Sequence, residues 1–257
     1  MIKRIFIFLL IVIYPSSLFN GETLMTGKEI LEKFYKRTEW KKVEMEIEMT
    51  LVNRRGRKRV RNFVVFSKYF GKDLKMFFMF TSPSDVKGIR FLTYDKRDQD
   101  DERWLYLPSM KKIQRISGSS RNDYFMGSDL TYYDLTKRDV KKATHKLLNG
   151  EQGSPLWIIE SIPVKNFDIY EKIVTKIRKK EFVPERIEFF GRNGKLVKVM
   201  SSLEIEKVRG IWFVKKLEMK NVIKRHKTIL EVKKISFDRK FKDEIFTPSR
   251  FSRIRIN

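Results

Sequence analysis

The chain has no cysteine, two histidines and a single alanine among its 257 residues. Without thiols there is no disulfide framework, thiolate metal site, iron–sulfur cluster or cysteine nucleophile. His145 and His226 lie far apart in sequence, which disfavours a His-rich metal site and leaves few partners for a histidine-based catalytic pair. The motifs of common enzyme classes are missing too: there is no G-x-S-x-G elbow, H-E-x-x-H helix, Walker loop or G-x-G-x-x-G turn. The longest uninterrupted apolar run, residues 5–14, is ten residues, about half of the ~20 needed to span a bilayer as a helix.

Acidic residues are scarce relative to basic ones, 32 against 57, for a net charge of +25. A surplus of this size suggests nucleic acid or an anionic membrane as partner. Composition offers a second cause, because alanine is nearly absent while Lys, Ile and Phe abound, as in base-biased genomes or hot habitats. Hydrophobic residues make up 41% of the chain, too many for a disordered protein.

The short apolar run follows Lys3 and Arg4 and ends at Pro15-Ser16-Ser17. A positive n-region and an h-region of this length read as a secretory signal, with cleavage expected near residues 17–21. Gly21 suits a cleavage site and Phe19 does not. No cysteine follows, so acylation as a bacterial lipoprotein is excluded. Export argues against nucleic acid and places the mature protein in the periplasm. Residues 22–257 show no repeat or linker and are expected to form a single domain.

The mature chain reads as mainly sheet. Residues 26–37 form the one convincing helix, with Thr26 and Glu29 in a capping box and Ile30, Leu31, Phe34 and Tyr35 on one face. Residues 43–51 alternate Val43, Met45, Ile47, Met49 and Leu51 with Glu44, Glu46, Glu48 and Thr50, the pattern of a strand with one wet face. After the turn Asn53-Arg54-Arg55-Gly56, strands are expected over 57–69, 74–80, 88–94, 103–107, 112–116, 157–162, 172–178, 186–190, 195–200, 211–222 and 228–237. Arg192-Asn193-Gly194 marks a hairpin. Strands joined by short turns imply an antiparallel sheet, and this many in succession curl or split. Met76, Phe77, Phe78, Met79 and Phe80 are consecutive, so both faces of that strand are apolar, and Phe77 and Phe78 point opposite ways. Such residues either fill a core in the absence of alanine or line a cavity for acyl chains.

Residues 103–135 carry the most information. A strand ends at Pro108, and a long loop then holds aromatic residues where an ordinary loop is polar, which suggests a lid or binding element. Asp129 and Asp134 are candidates for a catalytic pair, although aspartates in such loops more often fix turn geometry. Asp98, Asp100, Asp101 and Glu102 lack calcium-loop spacing and read as a solvated turn. Gly118-Ser119-Ser120 is a flexible loop, with no helix or lysine to complete a phosphate cradle. Arg54, Arg55, Arg57, Lys58, Arg59 and Arg61 form the densest basic run, either a solvated hairpin or a grip for anionic headgroups or an acidic partner.

The same segment resembles the LolA-like family of outer-membrane lipoprotein-sorting proteins, whose pattern has the form RWLYLP…RRI…FMGSDFTYEDL. Arg103, Trp104, Leu105, Tyr106, Leu107 and Pro108 match its first part, and Arg115 and Ile116 its middle. Phe125, Met126, Gly127, Ser128, Asp129, Thr131, Tyr132, Asp134 and Leu135 match its last. Gln114, Leu130 and Tyr133 depart from it. The resemblance implies a mainly β (α+β) fold: a strongly curved antiparallel sheet forming a half-open β-barrel, with an N-terminal helix and lid helices or loops. It implies a non-enzymatic carrier of lipid or lipoprotein acyl chains, sorting them toward the outer membrane, with no cofactor or metal. Trp104, Tyr106, Phe125 and Met126 are expected to contact the lipid. Pro108, Gly127, Ser128, Asp129, Tyr132 and Asp134 are expected to shape the loop. An inner-membrane RND-type transporter and, transiently, an anionic membrane surface are the implied partners. A docking subunit of such an exporter, carrying nothing itself, is the alternative. Burying an acyl chain gains ~0.8 kcal/mol per CH₂, so a carrier must match that burial without exceeding it.

Overall fold

A computed structural model describes residues 25–254 apart from 37–39, 97, 98, 100, 117, 118, 136, 137, 149–152, 165–167, 238 and 239. The expected leader, residues 1–21, lies outside the described residues, as do Asp98, Asp100 and Gly118. Helix α1 (Gly27–Lys36) starts at the expected capping box. The Thr26 amide donates to Glu29 Oε2 (2.7 Å) and the Glu29 amide to Thr26 Oγ1 (3.2 Å).

The first run of strands is β1 (Lys42–Val52), β2 (Lys58–Phe70), β3 (Asp73–Ser82), β4 (Arg90–Asp95), β5 (Glu102–Leu107) and β6 (Lys112–Arg115). The second is β7 (Ala143–Leu147), β8 (Leu156–Pro163), β9 (Lys172–Arg178), β10 (Pro184–Phe190), β11 (Leu196–Val208), β12 (Ile211–Asn221) and β13 (His226–Ser236). Two differences from the sequence reading stand out. The sequence offers no signal for β7, a five-residue edge strand with polar Thr144, His145 and Lys146 at its centre. Strand β11 runs eight residues past the expected end at Met200, through register shifts between Ser202 and Ile205 that blur its alternation.

The strands form one curved, open antiparallel sheet in the order β6-β5-β4-β3-β2-β1-β13-β12-β11-β10-β9-β8-β7. Two meanders meet where β1 pairs with β13, with Met49 opposite Leu230. Strands β6 and β7, consecutive in sequence, therefore lie on opposite edges. The connection between them has to cross the sheet, and it does so on what we call the inner face.

Period-2 alternation sorts the side chains. Phe63, Val65, Phe78, Phe80 and Phe91 face inward. Phe66, Phe77 and Leu92 face outward, beneath Ile245, Phe246 and Phe251 of the C-terminal tail. The consecutive apolar run of β3 is thus buried on both sides. On the second meander, α1 packs Ile30, Leu31 and Phe34 against Ile159 and Ile177. The opposite side of β1 is the wet one: Glu46 and Glu48 pair across the strand with Lys234 and Lys233.

Candidate functional site

The crossing connection folds on itself before it touches the sheet. Tyr124 and Thr131 form a two-residue bridge. The Phe125 amide donates to the Leu130 carbonyl (2.7 Å) and the Tyr132 amide to the Asp123 carbonyl (3.1 Å). At the apex the Ser128 amide donates to the Phe125 carbonyl (2.8 Å), while Met126 (φ 48°) and Gly127 (φ 68°) are both left-handed. Positive φ at both central residues defines a type I′ turn, which calls for glycine. That is the physical content of the Phe-Met-Gly-Ser motif. Arg61 of β2 holds the apex by donating to the Met126 carbonyl.

This strap lays one end on each half of the sheet. At the apolar end Phe125, 2% exposed, meets Phe91 (centroids 5.6 Å), Phe80 (5.9 Å), Phe78 (6.1 Å) and Tyr132 (5.6 Å). Leu130 bridges to Tyr170, Ile173, Phe189 and Met219 on the second meander.

The other end is ionic. Asp134 accepts from Lys198 Nζ of β11 (3.0 Å), Arg138 Nη2 (3.2 Å), the Tyr170 hydroxyl (3.2 Å) and the Thr131 amide (2.9 Å). Arg138 also pairs with Asp168. The side chains of Asp134, Lys198 and Asp168 are 2%, 5% and 4% exposed. Burial alone would raise the Asp134 pKa, but Lys198 and Arg138 beside it hold the carboxyl below its ordinary value. Asp129 goes the other way. Burial raises it against the opposing hydrogen bond from the Thr228 hydroxyl (2.9 Å). Sequence reasoning missed Lys198, Arg138, Asp168 and Tyr170. The one signal was Lys198 itself, a cation at an inward position between Leu196 and Met200.

The expected lipid contacts do not share one space. Phe125 and Met126 lie on the inner face. Trp104 and Tyr106 face outward, under the tail, because residues two apart on β5 share a face, and that face is the one turned to the tail. Trp104 stacks edge-on with Tyr94 (4.8 Å), and Tyr106 lies against Phe251 (6.5 Å). Pro108 opens a short 3₁₀ turn after β5 and is not part of the strap. Gly127, Ser128, Asp129, Tyr132 and Asp134 all lie in the strap. Asp129 and Asp134, weighed as a catalytic pair, are engaged separately, by Thr228 and by the Lys198–Arg138 pair. His145 is half-buried, with Nδ1 2.8 Å from Ser161 Oγ and Nε2 2.8 Å from the Val140 carbonyl. His226 is half-buried as well.

The inner apolar face is filled by the strap's own aromatic side chains. Beside the ionic end a cleft of about 260 Å³ opens between α1, residues 138–141 and the β2–β3 turn. Its lining sets Tyr35, Tyr69 and Leu74 among Lys36, Lys72 and Lys96.

Residues 72–253 match the model of a family described as uncharacterized-protein-like. A DUF1329 family protein from Desulfovibrio piger is 29% identical with a TM-score of 0.80, over 87% of this chain and 96% of that one. A putative outer membrane lipoprotein-sorting protein domain from Vibrio parahaemolyticus is 27% identical with a TM-score of 0.81, over 88% of this chain and 98% of that one. A LolA superfamily protein from Nitrosomonas europaea, 19% identical with a TM-score of 0.68 over 87% and 98% of the two chains, shares the fold. No curated protein matches the chain.

Proposed function

We propose that this chain, which belongs to the family whose model matches residues 72–253 and resembles outer-membrane lipoprotein-sorting proteins of the LolA type, is a periplasmic, non-enzymatic carrier of lipid or lipoprotein acyl chains. In this reading residues 1–21 are removed on export and the remainder acts as one unit. One observation carries it: the apolar inner face of a curved open sheet is covered by a strap tied between the sheet's two edges. Phe125 and Met126 occupy the place of cargo, and an acyl chain enters as the strap lifts. The sheet aromatics and methionines (Met45, Met49, Phe78 and Phe91) then pack the chain in their place. Loss of the Phe125 contacts offsets part of the acyl burial, which keeps release within reach. Trp104 and Tyr106 play no part in this lining, since they serve the outer face.

The test is native mass spectrometry with lipid extraction on protein exported to a bacterial periplasm and purified without detergent. Phospholipid or acylated peptide at near one-to-one is the expected result. Phe125→Ala should change the amount retained while the fold holds. Phe125→Asp is the poorer probe, since it would bury an uncompensated charge among four rings. A clean apo mass in repeated preparations would overturn the carrier reading. It would favour a docking subunit of an RND-type exporter, which the strap-filled inner face also suits.

A further inference from the structure

The pairing of β1 with β13 brings together two hairpin tips that are more than 160 residues apart in sequence, since Val52 lies opposite Lys227. The β1–β2 tip carries Arg54, Arg55 and Arg57, all exposed. The β12–β13 tip carries Lys224 and Arg225, and ahead of them Val222 and Ile223. Ile223 is 65% exposed, more than any other large hydrophobic side chain among the described residues, and Val222 is 36% exposed. Neither tip contains a carboxylate. None of the five cations forms an ion pair with another described residue. Elsewhere on the sheet lysines are commonly paired, as Lys216, Lys233 and Lys234 are with Glu231, Glu48 and Glu46.

The two tips are locally rigid. Asn53 Oδ1 accepts from the Arg55 and Arg57 amides (2.9 and 3.1 Å), and Asn221 Oδ1 accepts from the Lys224 amide (3.0 Å). The strap apex lies at the same end, with Lys224 Nζ 3.6 Å from the centre of the Tyr124 ring and Arg61 on the Met126 carbonyl.

We propose that this rim is a membrane-docking surface, with Ile223 entering the interface of an anionic bilayer while Arg54, Arg55, Arg57, Lys224 and Arg225 meet its phosphates. An aliphatic side chain at the apex of a convex cationic tip fits a bilayer, where apolar insertion and headgroup attraction act together. It fits nucleic acid poorly, because the tips present no aromatic ring for base stacking and no groove for a duplex. Docking stands apart from cargo carriage: a protein that carries nothing could still dock here.

The lack of native cysteine gives a direct test. In the full exported protein, Ile223→Cys is labelled with an environment-sensitive fluorophore, and Lys146→Cys, on edge strand β7, serves as the distant label. Vesicles of phosphatidylcholine alone are compared with vesicles containing phosphatidylglycerol. The label at 223 should brighten and shift to the blue only with the anionic vesicles, and the label at 146 should not change. In co-sedimentation, Arg54→Glu with Arg55→Glu should weaken binding on the order of tenfold. The charge-matched pair Lys146→Glu with Lys180→Glu should leave it within about twofold, since charges beyond a Debye length from the contact are screened. Equal losses from both pairs would mean that net charge alone drives adsorption, and an unchanged label at 223 would mean that the tip does not enter the bilayer. Either result overturns the proposal. So would binding of the unmodified protein to duplex DNA that is as tight as to the vesicles and equally sensitive to Ile223→Asp.

Discussion

Two segments cover opposite faces of β2–β4 and are held there by different means. The strap covers the inner face of β2–β4 and is tied down by side-chain charge, with Asp134 among Lys198, Arg138 and Tyr170. The C-terminal tail covers the outer face with Phe241, Ile245, Phe246 and Phe251, and apart from the exposed Lys68–Asp243 pair (2.7 Å) its polar ties to the sheet run to its own main chain. Arg90 donates to the Ser252 and Ile254 carbonyls (2.8 Å to the latter), and Tyr94 donates to the Phe246 carbonyl. Main-chain ties tolerate any side chain at the accepting residue, whereas a buried charge cluster demands particular partners at particular positions. A segment meant only to seal a face needs the first kind. The second kind fixes one register, which suits the lid role proposed for the strap.

The sharpest way to break this contrast is to remove the strap's central anion. Asp134→Ala leaves Lys198 without its buried partner and should cost about 3–5 kcal/mol of unfolding free energy, measured by urea denaturation. A loss below about 1 kcal/mol would show that the cluster is not what secures the strap. On the tail, Phe246→Ala should cost about 3 kcal/mol, the low end for a buried phenylalanine, because a terminal segment can settle into the space that a tied strap cannot. Limited proteolysis should then cut the tail before the strap.

Acid should separate the two aspartates of the strap. The Asp134 pKa is held below its ordinary value, so its contribution is full above the unfolded pKa, about 3.9, and fades as pH falls through the lower folded value. The stability gap between the native protein and Asp134→Asn should therefore narrow only below about pH 4. Asp129 is raised by burial, so its effect has the opposite sense: stability is lost as pH rises through the folded pKa. Asp129→Asn should accordingly leave the melting temperature at pH 7 unchanged or higher, and a clear drop would contradict this. The smallest effect belongs to the apex. Nothing lies within 4 Å of a Cβ placed on Gly127, whose φ is 68°. Gly127→Ala should thus cost only the backbone term, about 1 kcal/mol.

Much of the frame was legible from local pattern. The capping box of Thr26 and Glu29, the alternation along β1 and the Arg192-Asn193-Gly194 turn all appear where the sequence places them. The unbroken apolar run at Met76–Phe80 announced a strand covered on both faces without saying by what. The strap was legible as an unusual loop, and its Gly127 as a turn residue. Its anchors were not, because Lys198 and Asp168 are ordinary charged residues until the fold brings Lys198 to Asp134 and Asp168 to Arg138. Trp104 and Tyr106 were grouped with Phe125 because they share a motif, yet a motif spanning a strand and a loop can put its parts on opposite faces.

The sequence by itself determined the strand periods, the turns and the two-sided apolar character of β3, since these depend on residues a few positions apart. Only the tertiary structure decided which segment lies on which face, that β1 pairs with β13 and that two distant basic tips form one rim. Those outcomes rest on contacts between residues that lie tens of positions apart for the strap and more than a hundred for the tail and the β1–β13 pairing, and each contact becomes favourable only when the rest of the sheet is in place.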